Sequence, residues 1–262
     1  METEISETPG KLVSKIPSFR GYNFCLCKKC GKVHTHPRPM LGKHHTEETK
    51  KKISEKKSKK LISKSMSPEL AYLFGVIKGN GHIAKNFIHI TTSNQEFAQI
   101  LKEKLKNWSG LNVTIKKYRT GNGNFLWYIF LNSIEAVKLF KFLDLSSLRT
   151  DEEIVSFIRG VADAEGSVTI FKSFDKNRQK YKRNYKIVIY NSDKKLIEGI
   201  QKLLFSLGIR SFIYKILPKN SFGKNPKYEL VISHKSMKRF SELVGFNYPE
   251  KMEKLNRLIG GE

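Results

Sequence analysis

Two short stretches of this chain carry the same pattern of apolar and polar positions. Leu73-Phe74-Gly75-Val76-Ile77-Lys78-Gly79-Asn80-Gly81 and Ile158-Arg159-Gly160-Val161-Ala162-Asp163-Ala164-Glu165-Gly166 each read as the end of an apolar helix. Each has a glycine at its third position and a polar residue followed by glycine at its tip. The segments behind the two stretches repeat as well. Behind the first, the alternation and punctuation predict a strand at 87–92 and a helix from Ser93-Asn94 to Trp108, with Phe97, Ile100, Leu101 and Leu105 on one face. Strands at 112–119 and 125–132 come next, joined by Thr120-Gly121-Asn122-Gly123-Asn124, and then a helix from Ser133 to Leu143. Behind the second, strands at 167–174 and 184–190 flank a basic turn from Asp175 to Lys182. A helix opened by Ser192-Asp193 presents Leu196, Ile200, Leu203 and Leu204 inward, and strands at 210–217 and 227–233 come after it. Helices at 235–244 and 250–259 close the chain.

Aligning Thr92-Ser93-Asn94 with Asn191-Ser192-Asp193 sets the register of the two copies. Each copy reads as helix, two strands, helix, two strands, helix, although one strand of the first pair in the first copy is too weak to place. The expected class is α+β, with two pseudosymmetric αββαββα halves, because a repeat this long is a pair of halves rather than a solenoid. Ser67-Pro68-Glu69 marks the start of the globular part, with Ser67 as N-cap and Pro68 in the first turn. The expected divisions are an N-terminal arm at 1–66, a first repeat at 67–148 and a second at 149–262.

Charge then narrows the partner. The 262 residues carry a formal net charge of +25, which attracts a polyanion. Residues 1–66 hold 16 Lys and Arg against 6 Asp and Glu, a balance of +10, so +15 remains for 67–262. Both parts therefore suit nucleic acid. Basic and aromatic residues interleave on the strands: Lys116, Lys117, Tyr118 and Arg119 in the first half, and Lys172, Lys176, Arg178, Lys180, Lys182 and Arg183 in the second. A two-stranded ribbon fits the major groove, where base edges are distinguishable. No long apolar run or signal peptide is present, so the expectation is an intracellular, DNA-associated protein that does not bind membrane.

The arm holds two further features. Cys25, Cys27, Cys30, His34 and His36 lie close enough to offer four ligands to a structural zinc ion, with Cys25 competing with a histidine for a place. The same residues also read as a basic loop with free thiols. Beyond them, Thr46 caps a lysine-rich helix that includes Lys50, Lys51, Lys52, Lys56 and Lys57, with Glu47 and Glu48 at its positive end. Such a helix buries little, and the stretch reads either as a helix that gains its order on DNA or as a solvated lysine-rich linker.

Gly42, His45, Thr46, Glu47, Glu48, Thr49, Ile53, Ser54 and Glu55 make this stretch resemble the nuclease-associated modular DNA-binding motif. Residues 67–262, through both glycine-bearing helices, resemble a single-chain, two-repeat LAGLIDADG homing endonuclease. The resemblance implies that Gly75 and Gly160 let the two helices pack closely, and that the tip residues bind Mg²⁺ or Mn²⁺ for phosphodiester hydrolysis of double-stranded DNA. By position, Glu165 is the acidic ligand of the second half, and Asn80 stands where the first half normally has aspartate. The carbonyls of Gly79 and Ala164 are implied ligands, and Lys251 and Arg149 are implied basic groups near the scissile phosphates. A monomer is implied, since two repeats make a pseudo-dimer, and an intron-encoded or free-standing origin is expected because no splicing domain is read beside the nuclease. Asn80 brings no charge to a metal, so reduced or abolished cleavage is expected. The alternatives are a DNA-binding regulator without catalysis and an intron RNA maturase on the same fold.

Overall fold

The structure, a computed structural model, describes residues 22–26, 33–37, 45–57, 61, 65–175, 179–217 and 226–259. The chain divides into two compact units, Met1–Lys57 and Ser58–Glu262. In the smaller unit, β1 (Tyr22–Leu26) and β2 (Val33–Pro37) pair antiparallel, with Cys25 opposite His34 in backbone register. Cys27 and Cys30 lie outside the described residues, as do the side chains of Cys25, His34 and His36. Helix α1 (Glu47–Lys57) begins where Thr46 Oγ1 accepts the Thr49 amide at 3.2 Å. Lys50 pairs with Glu47 and Lys52 with Glu48, each at 2.6 Å, across one turn of the helix.

The larger unit is two copies of one plan. The first copy runs α2 (Pro68–Asn80), β3 (Gly81–Ile83), β4 (Ile88–Thr92), α3 (Gln95–Ser109), β5 (Val113–Arg119), β6 (Phe125–Leu131) and α4 (Ile134–Phe142). The second runs α5 (Asp151–Glu165), β7 (Gly166–Asp175), β8 (Lys180–Asn191), α6 (Lys194–Ser206), β9 (Ser211–Ile216), β10 (Lys227–Ile232) and α7 (Met237–Leu243), with α8 (Pro249–Ile259) added at its end. The strand orders are β3-β4-β6-β5 and β7-β8-β10-β9, the same antiparallel arrangement twice. The weak strand of the first copy is β3, only three residues long. In the second copy β8 starts at Lys180, so part of the expected basic turn is strand.

Local chemistry places these elements. Ser67 caps α2 through the Leu70 amide with Pro68 in the first turn, Asn94 caps α3 through the Phe97 amide at 2.8 Å, and Thr150 with Glu153 forms a capping box on α5. Gly110 ends α3 in the left-handed conformation at φ 67°, which costs glycine nothing. Alternation fills the core: Ile88, Ile90, Ile129 and Leu131 are buried from the first sheet, and Ile187, Ile189, Leu230 and Ile232 from the second. The buried stripe of α3 is Phe97, Ala98, Leu101, Leu105 and Trp108, with Ile100 at its edge.

The halves meet along α2 and α5. A Cβ on Gly75 would lie 2.1 Å from the carbonyl oxygen of Phe157, and one on Gly160 would lie 2.1 Å from that of Tyr72. The reciprocity is what a pseudo-two-fold axis between the helices requires. Phe74 and Phe157 pack with ring centroids 5.1 Å apart beside it.

Candidate functional site at the helix tips

The close approach of α2 and α5 brings their C-terminal tips together. Asn80 Nδ2 donates to the carbonyl of Ala164 at 2.9 Å across the interface. A Cβ on Gly79 would lie 2.5 Å from the Ala164 Cβ and 3.1 Å from the Glu165 Cγ, so this glycine too leaves room for the opposite helix. Gly79, Asn80, Ala164 and Glu165 are thus one cluster. Glu165 is partly buried, and that burial raises its proton affinity, while Lys251 and then Lys227 pull it back down.

Lys251, on α8, reaches the same place. Its Nζ donates to the carbonyls of Asp163 at 2.6 Å and Ala162 at 3.1 Å, the last turn of α5, where a cation offsets the helix dipole. Burial lowers its pKa to about 8, although Asp163, Glu165 and Glu250 favour its charge. Tyr248 offers its ring 5.2 Å from the ammonium. Arg149 is placed elsewhere. It precedes the N-terminus of α5, and its backbone amide donates to Glu153 Oε2 at 2.7 Å. A helix of this length holds it roughly 20 Å from the tip. Nearness in sequence to the motif therefore did not become nearness in space.

Asp163 is a site residue that the sequence reading passed over, although it sits inside the quoted motif. It is almost fully buried, and its carboxylate accepts from Tyr72 Oη at 2.8 Å and from the amides of Asn247 and Tyr248 at 3.1 Å. Burial raises its pKa, against those hydrogen bonds. The carboxylate therefore turns away from the tip, toward the chain entering α8, and helps to station Lys251. Two more cations were also missed. Lys78 and Lys227 line a cavity of 410 Å³ with Gly79, Glu165, Tyr190 and Ser192. No grouping of three or more His, Cys, Asp or Glu that could hold a metal occurs among the described residues. The tip cluster offers one carboxylate and several neutral oxygens.

The two sheets flank the tips. Lys116, Lys117, Tyr118, Arg119, Lys172 and Lys180 are exposed, as are Lys50, Lys51 and Lys52 on α1. Lys117 Nζ lies 3.9 Å from the Phe125 ring centroid and 5.1 Å from that of Trp127. Phe174 and Tyr181 make an exposed edge-on pair at the far end of the β7–β8 ribbon. Lys176 and Arg178, and the side chains of Lys56, Lys57, Lys182 and Arg183, lie outside the described residues. Among the described residues, no helix is long and apolar enough to cross a membrane.

This geometry has known counterparts. Residues 67–143 and 152–245 match the LAGLIDADG-like domain, in two copies, and residues 31–54 match the NUMOD3 motif. The chain belongs to the LAGLIDADG family. An uncharacterized protein of Methanocaldococcus jannaschii is 26% identical, with 95% of this chain and 93% of that protein covered. The glutamine–fructose-6-phosphate aminotransferase of the same organism is 28% identical over 75% of this chain, but the match spans only 18% of that protein's length. Among solved structures, the crystal structure of I-DmoI in complex with DNA and Ca shares the fold, with a TM-score of 0.52 and 21% identity over 72% of this chain and 97% of that one.

Proposed function

We propose that this chain is a site-specific, homing-type DNA endonuclease whose cleavage activity is reduced by Asn80. It would bind a long, asymmetric double-stranded site with its two unlike sheets, extend along it with the arm at 1–66, and hydrolyse phosphodiester bonds at the helix tips. The observation that carries the reading is the meeting of Asn80, Gly79, Ala164 and Glu165 at one point between two basic ribbons. The solved relative in complex with DNA and Ca supports the same partner. The name of the aminotransferase relative does not carry over, since the match takes in less than a fifth of it.

The donor set fits one hard divalent cation. The Glu165 carboxylate, the Gly79 carbonyl and Asn80 Oδ1 are all oxygen ligands, as Mg²⁺ or Mn²⁺ requires. Asn80 Nδ2 already engages the Ala164 carbonyl, and one anionic oxygen makes a weaker site than two. Such a cation, when bound, would supply an activated water and neutralise charge on the phosphate. The side chains of the chain would do the rest: Glu165 sets the position of the site, Lys251 braces the α5 terminus that carries it, and the ribbons hold the duplex in place.

The test is to select bound sequences from a random duplex pool and then incubate the selected site with MgCl₂. Cleavage that is lost in Glu165→Gln, with binding retained, supports the reading. A selected duplex that stays intact under these conditions favours a DNA-binding regulator on the same fold, a reading to which the single tip carboxylate lends weight.

A further inference from the structure

Strands β5 and β9 are the corresponding edges of the two sheets, and their side chains differ. Val113 opens β5 opposite Leu131, and Ser211 opens β9 opposite Ile232. In that register Phe212, Tyr214 and Leu217 stand where the first half has Thr114, Lys116 and Arg119. The N-caps Asn94 and Asp193 set α3 against α6, so Phe205 stands where the first half has Lys106. Phe205 is 73% exposed and Phe212 53%, and Tyr214, Ile216 and Leu217 are exposed as well. The fold does not need apolar groups at 205, 212 and 217, since its first copy does without them. An exposed apolar surface rimmed by polar groups marks an interaction site.

The backbone of β9 is as open as its side chains. Among the described residues, β10 alone pairs with it. The Arg210 carbonyl accepts the Ser233 amide on the β10 side, whereas the Ser211 carbonyl accepts Gln201 Nε2 at 3.0 Å on the α6 side. Alternation then turns the N–H and C=O of Ile213 and Lys215 to the free edge. Charges guard the edge of β5 at Lys116, Lys117 and Arg119, but on β9 only Lys215 does so. Where α6 meets the start of β9, Phe205, Ile209 and Phe212 line a cavity of 510 Å³ together with Gln201, Lys202 and Arg210. Lys202, Arg210 and Lys215 are exposed, and no ion pair engages them among the described residues.

We propose that the groove between α6 and β9 binds an extended, acidic segment of a partner protein, which joins the sheet as a strand beside β9. The backbone of the segment pairs with Ile213 and Lys215, and one of its apolar side chains enters the cavity against Phe205 and Phe212. Its acids face Lys202, Arg210 and Lys215. A DNA duplex has no row of amides and carbonyls to offer such an edge. A second copy of this chain would bring another charge of +25, which opposes self-association. The proposal is independent of the nuclease reading and gives the second half a protein partner.

The experiment uses the full chain and a fluorescein-labelled peptide of seven residues that alternates glutamate with valine around a central phenylalanine. Fluorescence polarisation is expected to show saturable binding. Phe205→Gln should weaken it by at least about tenfold, because the aromatic wall of the cavity is lost. Its melting temperature should not change, since Phe205 is exposed. A peptide with lysine in place of glutamate should bind at least about tenfold more weakly. Two further peptides carry N-methyl groups on alternate residues, one in each phase. One is expected to lose binding and the other to keep it, as pairing through a single edge requires. The selected duplex should bind wild type and Phe205→Gln within about twofold of each other. Failure of the peptide to bind, or equal binding of both methylated peptides, overturns the proposal. A duplex affinity that falls as far as the peptide's assigns the groove to DNA and overturns it too. A dimer that Phe205→Gln dissolves, seen by sedimentation, gives the edge to a second copy and overturns it likewise.

Discussion

Gly75→Ala tests the helix pair on which every statement about the site depends. The added methyl would sit 2.1 Å from the Phe157 carbonyl oxygen and 2.9 Å from the Val161 nitrogen. Both atoms belong to the backbone of α5, so no rotamer change can relieve the overlap. The helices must separate by about 1 Å, which forfeits a quarter to a half of the dispersion energy at each contact that opens. Tyr72, Phe74, Val76, Phe157 and Val161 are all buried at or beside that contact. Overpacking of this kind costs ~1–3 kcal/mol, and here the opening spreads along both helices. Against it stands the better helix propensity of alanine, worth about 1 kcal/mol. A net loss of roughly 1–2 kcal/mol is expected, read as a lower midpoint in urea with an unchanged slope. Gly160→Ala should cost a similar amount, and the double variant less than the sum, since the first methyl has already opened the gap for the second. A midpoint that rises in either single variant would mean that the propensity gain goes unopposed and that α2 and α5 do not approach this closely.

Three further outcomes concern the tip. Asn80→Asp removes the donor to the Ala164 carbonyl and adds a second anion; tighter Mn²⁺ binding by calorimetry and at least about tenfold faster cutting of the selected duplex are expected, and equal rates in the two forms would refute the role given to position 80. Asp163→Ala strands a buried phenol and two amides, each worth about 1–3 kcal/mol, so an unfolding loss of about 3–5 kcal/mol is expected, with Tyr72→Phe near 1 kcal/mol. Glu165→Gln should stabilise the DNA-free protein at neutral pH in EDTA. Burial raises the folded pKa of Glu165, so its ionisation is costlier in the folded state. The gain from Gln is thus absent below the unfolded carboxyl value, grows as pH rises through the folded one and is complete above it. Urea midpoints at pH 4 and pH 7 give the comparison, and a gain of equal size at both would place the effect elsewhere.

Much of the fold was legible because its signals are local. Caps at Ser67, Asn94 and Thr150 and the stop at Gly110 are written in a few adjacent residues, and the helices begin and end within a residue or two of them. Strand β3 was not legible, since Gly81-His82-Ile83 offers a single apolar residue and no alternation. The start of β8 was misread for a related reason. Lys180-Tyr181-Lys182-Arg183 has no inward face, but a ribbon held by pairing to β7 alone needs none. At the site, the meeting of the two tips was legible from the motif and the nearness of Lys251 from the resemblance, whereas Lys78 and Lys227 were not. Lys227 reaches the tip only because β10 pairs with β8, and Lys251 only because Asp163 ties down the start of α8. Arg149 shows the converse error, since adjacency to a helix start says nothing of the far end.

The departure at position 80 also has a structural side. The last carbonyls of α5 are orphaned by helix geometry and need partners. The Gly166 amide already serves that of Ala162, to which Lys251 adds a second bond; Lys251 serves that of Asp163, and Asn80 Nδ2 serves that of Ala164. An aspartate at position 80 could not donate. It would face a carbonyl oxygen and a second carboxylate, and only a cation between them would relieve the repulsion. Asparagine therefore completes the tip without metal, at the expense of the charge that would draw metal there. The contacts that hold the halves together, Gly75 on Phe157 and Gly160 on Tyr72, lie one to two turns away and are indifferent to that exchange. Helix packing and the polar tip thus rest on different residues of the same two helices, so an exchange at position 80 leaves the pair in place.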